Sequence, residues 1–223
     1  MKTVLFIHSF QGANDRVKWL WPYYKHSGLD IFGVGRTNTK CEWPEPIPTK
    51  DIGEDAYISG ANLPLRLVQT FEWFINDPLF KDYTHAMVIE WDSIFLGRPP
   101  EIEVKIAGTM SGMWPDASCV GGGHPFFHCP WWMSRDCAEW FVKAGADALE
   151  KRILGCGSPD LFIGKVCHDN QMPVFKLEGT FSKNSLDIPA HQELARSLIR
   201  ENAVWFVHGI KSREQLNSIL PPQ

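Results

Sequence analysis

Two acids, Glu90 and Asp92, stand one residue apart just past the apolar run Ala86-Met87-Val88-Ile89. Such a run has the length and composition of a strand covered on both faces. In open α/β sheets the ligand crevice lies beyond the carboxyl ends of such strands. Carboxylates held there lose hydration, so they need a positive partner or a coordinated ion. A hard divalent cation answers that need, because Mg²⁺ and similar ions take carboxylate oxygens and share their remaining positions with phosphates. The plain alternative is a turn closed by solvated acids.

A second stretch, Ser111 to Trp132, gathers Gly112, Trp114, Gly121, Gly122, Gly123, His124, His128, Trp131 and Trp132. Consecutive glycines disfavour a helix or a strand interior, so the stretch reads as a loop that approaches a ligand closely. His124 and His128 have the spacing of one helical face. The prolines and aromatics around them argue against that helix, and with it against a zinc pair.

These residues need elements to carry them. Thr3–Ile7 reads as a first core strand, with His8-Ser9-Phe10-Gln11-Gly12 as the loop at its carboxyl end. Asn14 or Asp15 can cap a helix whose Val17, Leu20, Trp21 and Tyr24 follow the i, i+3, i+4, i+7 rule. Gly28 ends it, and Asp30–Val34 is a second strand closed by Gly35-Arg36-Thr37-Asn38. A strand, a crossover helix and a strand form a βαβ unit, so the sheet starts parallel. Thr39–Ala61, with Pro44, Pro46 and Pro48, reads as one long loop. Leu67, Val68, Phe71, Phe74 and Ile75 mark an amphipathic helix stopped by Asp77-Pro78. The acid-bearing strand follows, then a strand at Val104–Gly108. Ser134 caps a helix striped by Cys137, Ala138, Phe141 and Val142. A glycine turn opens the short helix Leu161–Cys167, with Pro159 in its first turn. Val174–Leu177 reads as a strand, and Leu194, Leu198 and Ile199 stripe a further helix. Val204–Val207, a last strand, delivers His208 and Gly209. Ser212 and Gln215 then form a capping box before Leu216, Ile219 and Leu220. The expected fold is α/β, one domain over residues 1–223, with a mostly parallel central sheet flanked by helices.

Composition narrows the function classes. The hydrophobic fraction of 44% describes a globular chain able to bury a full core. A net charge of −4 argues against a general nucleic-acid binder, which would carry a basic stripe. Six cysteines are scattered without a CxxC pair, which suits buried thiols in a reducing compartment better than a disulfide frame. The apolar N-terminal run is too short for a signal peptide, and no run is long enough to span a bilayer. The expected location is cytoplasmic.

Four points resemble, in order, the nucleotide-sugar-dependent glycosyltransferases of the GT-A type. Glu90-Trp91-Asp92 looks like their acidic DXD signature, with Glu in the first place. Gly121-Gly122-Gly123 through Trp132-Met133-Ser134-Arg135-Asp136 resembles the glycine-rich stretch of β-1,3-galactosyltransferase and Fringe-like enzymes. Ser158-Pro159-Asp160-Leu161-Phe162-Ile163-Gly164 is similar to their E-D-V-x-x-G segment, with Asp160 on the catalytic aspartate. Trp205-Phe206-Val207-His208-Gly209-Ile210-Lys211 looks like their terminal strand with its metal-binding histidine. Two departures stand out: Glu90 in place of the first Asp, and Pro159 where an acid precedes the catalytic one.

The resemblance implies a GT-A-like, Rossmann-related fold and transfer of a sugar from a nucleoside diphosphate to a hydroxyl acceptor, a carbohydrate above all. The implied metal is Mn²⁺ or Mg²⁺, acting on the leaving phosphate as Lewis acid and template. Asp92 is then a direct ligand, Glu90 a contact through water or to the ribose, and His208 a nitrogen ligand. Lys211 adds charge for the diphosphate. His8, Ser9 and Phe10 edge the base and ribose pocket, with Arg36 and Thr37 nearby and Arg66 within reach of the diphosphate. Asp160 is the base that takes the acceptor proton. Gly122, Gly123, Trp114, Trp131 and Trp132 wall the acceptor site, since flat rings cover the apolar faces of sugars. Each role has an ordinary rival: a strand-end histidine for His208, a solvated lysine for Lys211, a surface arginine for Arg66, a first-turn acid for Asp160, core packing for the tryptophans. At the level of function the rivals are a sugar-nucleotidyltransferase and a carbohydrate-binding module without activity. The first usually carries a glycine- and base-rich loop after its first strand, and Ser9-Phe10-Gln11-Gly12-Ala13 has one glycine and no base.

Overall fold

The computed structural model describes residues 1–36, 40–52, 62–113, 125–150, 159–182 and 186–220. The chain opens with strand β1 (Thr3–His8), helix α1 (Asn14–Lys25) and strand β2 (Asp30–Gly35). β2 lies parallel to β1, so the βαβ unit forms as its pattern requires. Strand β3 (Thr49–Asp51) then adds to β2, in parallel, within the stretch expected to be loop throughout. Helix α2 (Asn62–Asn76) leads to β4 (His85–Glu90), which pairs with β1 in parallel and sets His8 beside Glu90.

Strand β5 (Ser93–Phe95) leaves the main sheet, and strands β6 (Ile106–Met113) and β7 (Pro125–Ser134) return to it. β7 runs antiparallel between β4 and β6. Helices α3 (Arg135–Glu150) and α4 (Pro159–Asp169) follow, then the short strands β8 (Phe175–Lys176) and β9 (Thr180–Ser182). Helix α5 (Pro189–Arg200), strand β10 (Phe206–His208) and helix α6 (Arg213–Ile219) close the chain. The central sheet has the order β3-β2-β1-β4-β7-β6-β8. A second sheet has the order β5-β10-β9. The architecture is α/β, with a mostly parallel central sheet flanked by helices.

The core forms where the apolar pattern places it. Val4, Leu5, Phe6 and Ile7 of β1 are buried in succession, as a strand covered on both faces must be. Phe6 meets Trp73 and Phe74 of α2 at ring separations of 5.3 and 6.3 Å. Phe71 of α2, Phe141 of α3 and Phe162 of α4 continue that layer, with Phe141 5.6 Å from Phe71 and 6.1 Å from Phe162. Elsewhere α1 packs by β5, where the Tyr24 hydroxyl donates to the Trp91 carbonyl. Ser134 caps α3 through its hydroxyl, which accepts from the Cys137 amide. Ser212 and Gln215 form the expected capping box of α6.

Three expectations change. The stretch from Ser111 to Trp132 is not a single loop, because β6 runs to Met113 and β7 starts at Pro125. The strand expected at Val104–Gly108 starts two residues later and runs longer. Leu194 is 47% exposed rather than part of a core stripe, and Ala195 is the residue that α5 buries. No helix among the described residues is long and apolar enough to cross a membrane.

Candidate functional site

The acids come first because β4 aims them. β4 is buried on both faces from Ala86 to Ile89 and leaves Glu90 partly exposed where it ends, and two residues on the chain turns into β5 with Asp92 buried. β10 pairs antiparallel with β5, His208 opposite Ser93, so the terminal histidine arrives beside these acids. The turn that follows is locked: the amides of Gly209 and Ile210 both donate to the Asp92 carbonyl, at 3.0 and 2.9 Å. Gly209 has φ of 98°, a left-handed conformation that glycine alone adopts without strain.

His208 Nε2 lies 3.1 Å from Glu90 Oε2 and 3.1 Å from Asp92 Oδ1. Its other nitrogen, Nδ1, is 2.8 Å from the Ser182 hydroxyl on β9. Burial by itself lowers the imidazole pKa, but the polar groups of Cys129 and Asp92 facing it more than reverse this, and His208 is held well above its ordinary value. Asp92 behaves in mirror image: burial raises its carboxyl, and the His208 charge and hydrogen bond, with its own backbone amide and the Lys211 charge, together lower it. Asp92 Oδ1 is buried and receives no hydrogen bond of regular geometry. The charged His208 ring faces it, and a divalent cation would take the place of that ring's Nε2 proton. The donor set fits a divalent ion, with Glu90 and Asp92 supplying oxygen, His208 Nε2 supplying nitrogen, and Ser182 fixing the far side of the ring, as a metal-binding imidazole needs.

A cleft of ≈ 180 Å³ opens at this point, walled by His8, Phe10, Arg36, Arg66, Glu90, Trp91, Asp92, Pro159 and Lys211. Three cationic residues thus share a wall with two acids. The Arg36 guanidinium lies over the Phe10 ring at 4.7 Å, and Arg16 lies over Trp91 at the same distance. Phe10 and Trp91 meet edge to face at 5.8 Å. Arg66 is not a surface arginine: it is 4% exposed, and its Nη2 donates to the carbonyls of Ser9 and Val34 at 2.8 and 2.7 Å. It ties the carboxyl ends of β1 and β2 together. Ser9 is buried behind the cleft, contributing its backbone. His8 Nε2 is 2.8 Å from Thr70 Oγ1, whose hydroxyl donates onward to the Arg66 carbonyl. That spends the threonine's one proton, so His8 donates from Nε2. Burial first, then the Arg66 and Arg36 charges, hold His8 well below the usual imidazole value.

Asp160 occupies the first turn of α4, next to Pro159 in the cleft wall. Its Oδ2 is 3.1 Å from Nδ1 of His128, a buried residue of β7. The His128 ring lies 6.1 Å from that of His208, which links the Asp160 end of the site to the acid cluster.

Two acceptor-wall residues are corrected. Trp131 and Trp132 are each 1% exposed, because β7 is an interior strand, and the Trp131 indole donates inward to the Phe127 carbonyl. Neither can stack on a sugar. Thr37, Trp114, Gly122 and Gly123 lie outside the described residues, as do Gly121 and His124.

The sequence reading left four residues without a role. Trp91 lies inside the acidic motif yet lines the cleft. Ser182, His128 and Cys129 belong to strands whose neighbours are set by long-range pairing. Cys129 Sγ, a Glu90 carboxylate oxygen and a His208 nitrogen all lie within 4.8 Å of one another. His128 stood out in the sequence only through its spacing from His124, and Cys129 only as one of six scattered cysteines. No protein-family model matches the chain, and no curated protein matches it.

Proposed function

We propose that this chain is a metal-dependent glycosyltransferase, moving a sugar from a nucleoside diphosphate sugar to a hydroxyl of a carbohydrate acceptor. One observation carries the reading. Glu90, Asp92 and His208, from separate parts of the chain, meet within 3.1 Å of the His208 nitrogen at one end of a cleft bearing Arg36, Arg66 and Lys211. Acids with a histidine suit a cation, and the basic residues beside them suit a diphosphate, whose charge such a cation would help neutralise.

Each residue then has a task. Asp92 and His208 would hold the ion, and Glu90 would join them directly or through water, or contact the ribose. The bound cation supplies charge neutralisation for the departing diphosphate. Lys211 and Arg36 add positive charge, while Arg66 keeps the β1 and β2 ends in register. Phe10 and Trp91 offer rings to the base. Asp160, steadied by His128, takes the acceptor proton, and the two carboxylates divide the work: Asp92 serves the donor, Asp160 the acceptor.

The test is calorimetry of the full chain with uridine, guanosine, adenosine and cytidine diphosphates, with and without a divalent cation. The reading expects one nucleotide to bind with a strong dependence on the cation. No binding of any nucleoside diphosphate, in Mn²⁺, Mg²⁺ or Zn²⁺, overturns it.

A further inference from the structure

The acid cluster has a neighbour of different chemistry. β7 runs antiparallel to β4, with Val88 opposite Trp131. Beyond that last pair the strand brings the Cys129 thiol close to the Glu90 carboxylate. Its thiol is fully buried, 3.8 Å from the Ser93 hydroxyl, and it faces the His208 ring and the Glu90 backbone. Glu90, Cys129 and His208 place one ligand atom each within 4.8 Å of the others. A second observation points the same way: Asp92 Oδ1, buried and without a regular hydrogen bond, stands 3.1 Å from His208 Nε2.

We infer that Cys129 is a ligand of the cation site, and that the site selects a thiophilic divalent ion of the Zn²⁺ class over Mg²⁺ or Mn²⁺. This rests on the metal reading above and sharpens it. Thiolate and imidazole donors favour Zn²⁺, whereas all-oxygen sites favour Mg²⁺ and Mn²⁺. A carboxylate, a thiolate and an imidazole are three ligands of a four-coordinate ion, and they leave one position for an oxygen from Asp92 or from a molecule in the cleft. On binding, the S–H proton of Cys129 and the Nε2 proton of His208 would both leave to solvent, and the sulfur would take the ion as thiolate and the imidazole as a neutral ring. The surroundings suit this, since the pocket is closed to water on the β7 side and Ser182 holds the imidazole by its far nitrogen.

Cobalt(II) is the probe, because a thiolate bound to it gives a charge-transfer band in the near ultraviolet that carboxylate and imidazole donors do not. The full chain, stripped with chelator under reductant, is titrated with Co²⁺. The expected spectrum shows that band together with the intense visible bands of four-coordination. Cys129→Ser loses the near-ultraviolet band, and His208→Ala loses it too, which ties the sulfur to this site rather than to another cysteine. Stoichiometric Zn²⁺ removes the band from the wild type, while roughly a hundredfold excess of Mg²⁺ or Mn²⁺ leaves it. Circular dichroism checks that each variant folds, and Cys129→Ala replaces the serine variant where that one does not. Co²⁺ bound without the band, or a band that survives Cys129→Ser, overturns the sulfur ligand while leaving the cation site standing. No binding of Co²⁺, Zn²⁺ or Mn²⁺ overturns both.

Discussion

Asp160 Oδ2 and His128 Nδ1 lie 3.1 Å apart, a first-turn acid of α4 against a buried histidine of β7. The contact fixes the carboxylate's direction without removing it from the surface, since the Asp160 side chain is 16% exposed against 4% for His128. If Asp160 accepts the proton of a sugar hydroxyl, Asp160→Asn lowers transfer by a factor of about 10² or more. Stability and donor affinity change little, because asparagine also suits a helix start and can still accept from His128. Donor hydrolysis falls less than transfer. His128→Phe keeps the ring, removes Nδ1, and lowers kcat while leaving the donor KM in place. Transfer rates and melting temperatures on these variants decide it: an unaltered rate in Asp160→Asn removes the base.

On the proposed reading, Asp92 couples cation to nucleotide. Asp92→Asn keeps the shape of the side chain but loses the charge that both His208 and a divalent ion answer. Nucleoside diphosphate affinity should drop at least about tenfold in the presence of the cation and stay nearly constant in chelator. Paired titrations of wild type and variant read the difference, and equal affinities with the cation present would detach Asp92 from the site.

Arg66 is a structural cation within the cleft wall. Arg66→Ala leaves two buried carbonyls, those of Ser9 and Val34, without the charged donor they now share. Val34 keeps its bond from the Ser9 amide at 3.0 Å, so the cost expected is about 1.5–3 kcal/mol, the range for losing a hydrogen bond to a charged group. Urea unfolding measures it. A loss under half a kilocalorie, roughly the scatter of a surface substitution, would make Arg66 a ligand-facing residue with no structural duty.

His8 gives the fold an acid-sensitive element. The unfolded chain takes up this proton near pH ~6.5, while the native chain resists it until lower pH, because burial and the Arg66 and Arg36 charges oppose imidazolium. Between the two values the unfolded state binds more protons, so stability rises with pH. The contribution is complete above about pH 6.5 and is lost as the pH falls below it, with a slope approaching ~1.4 kcal/mol per unit. His8→Gln retains a donor for Thr70 and removes the titration, so its unfolding free energy should be flatter over that window. A wild-type slope in the variant would assign the acid sensitivity elsewhere.

What could be read from the residues alone was local. The apolar run before Glu90, the βαβ start, the α1 stripe and the Ser212–Gln215 capping box depend on neighbours a few positions away, and each forms as its pattern requires. The placing of Glu90 and Asp92 at a strand end belongs to the same class. The likeness of Val207-His208-Gly209 to a terminal metal-binding strand singled out His208, but its position beside Asp92 depends on β10 joining β5 across the chain. Periodicity cannot report such a pairing, because it describes one element's faces and not which element comes next in the sheet.

Burial was decided at the same level. Trp131 and Trp132 neighbour a glycine-rich stretch, and composition favours a loop there. β7 instead enters the sheet between β4 and β6, and an interior strand covered on both faces leaves its side chains no route to solvent. The same insertion carries His128 to Asp160 and Cys129 to Glu90 and His208. In the sequence these are two residues beside a proline. Their chemistry exists only because an antiparallel strand delivers them, from more than thirty residues away, to the edge where β4 ends.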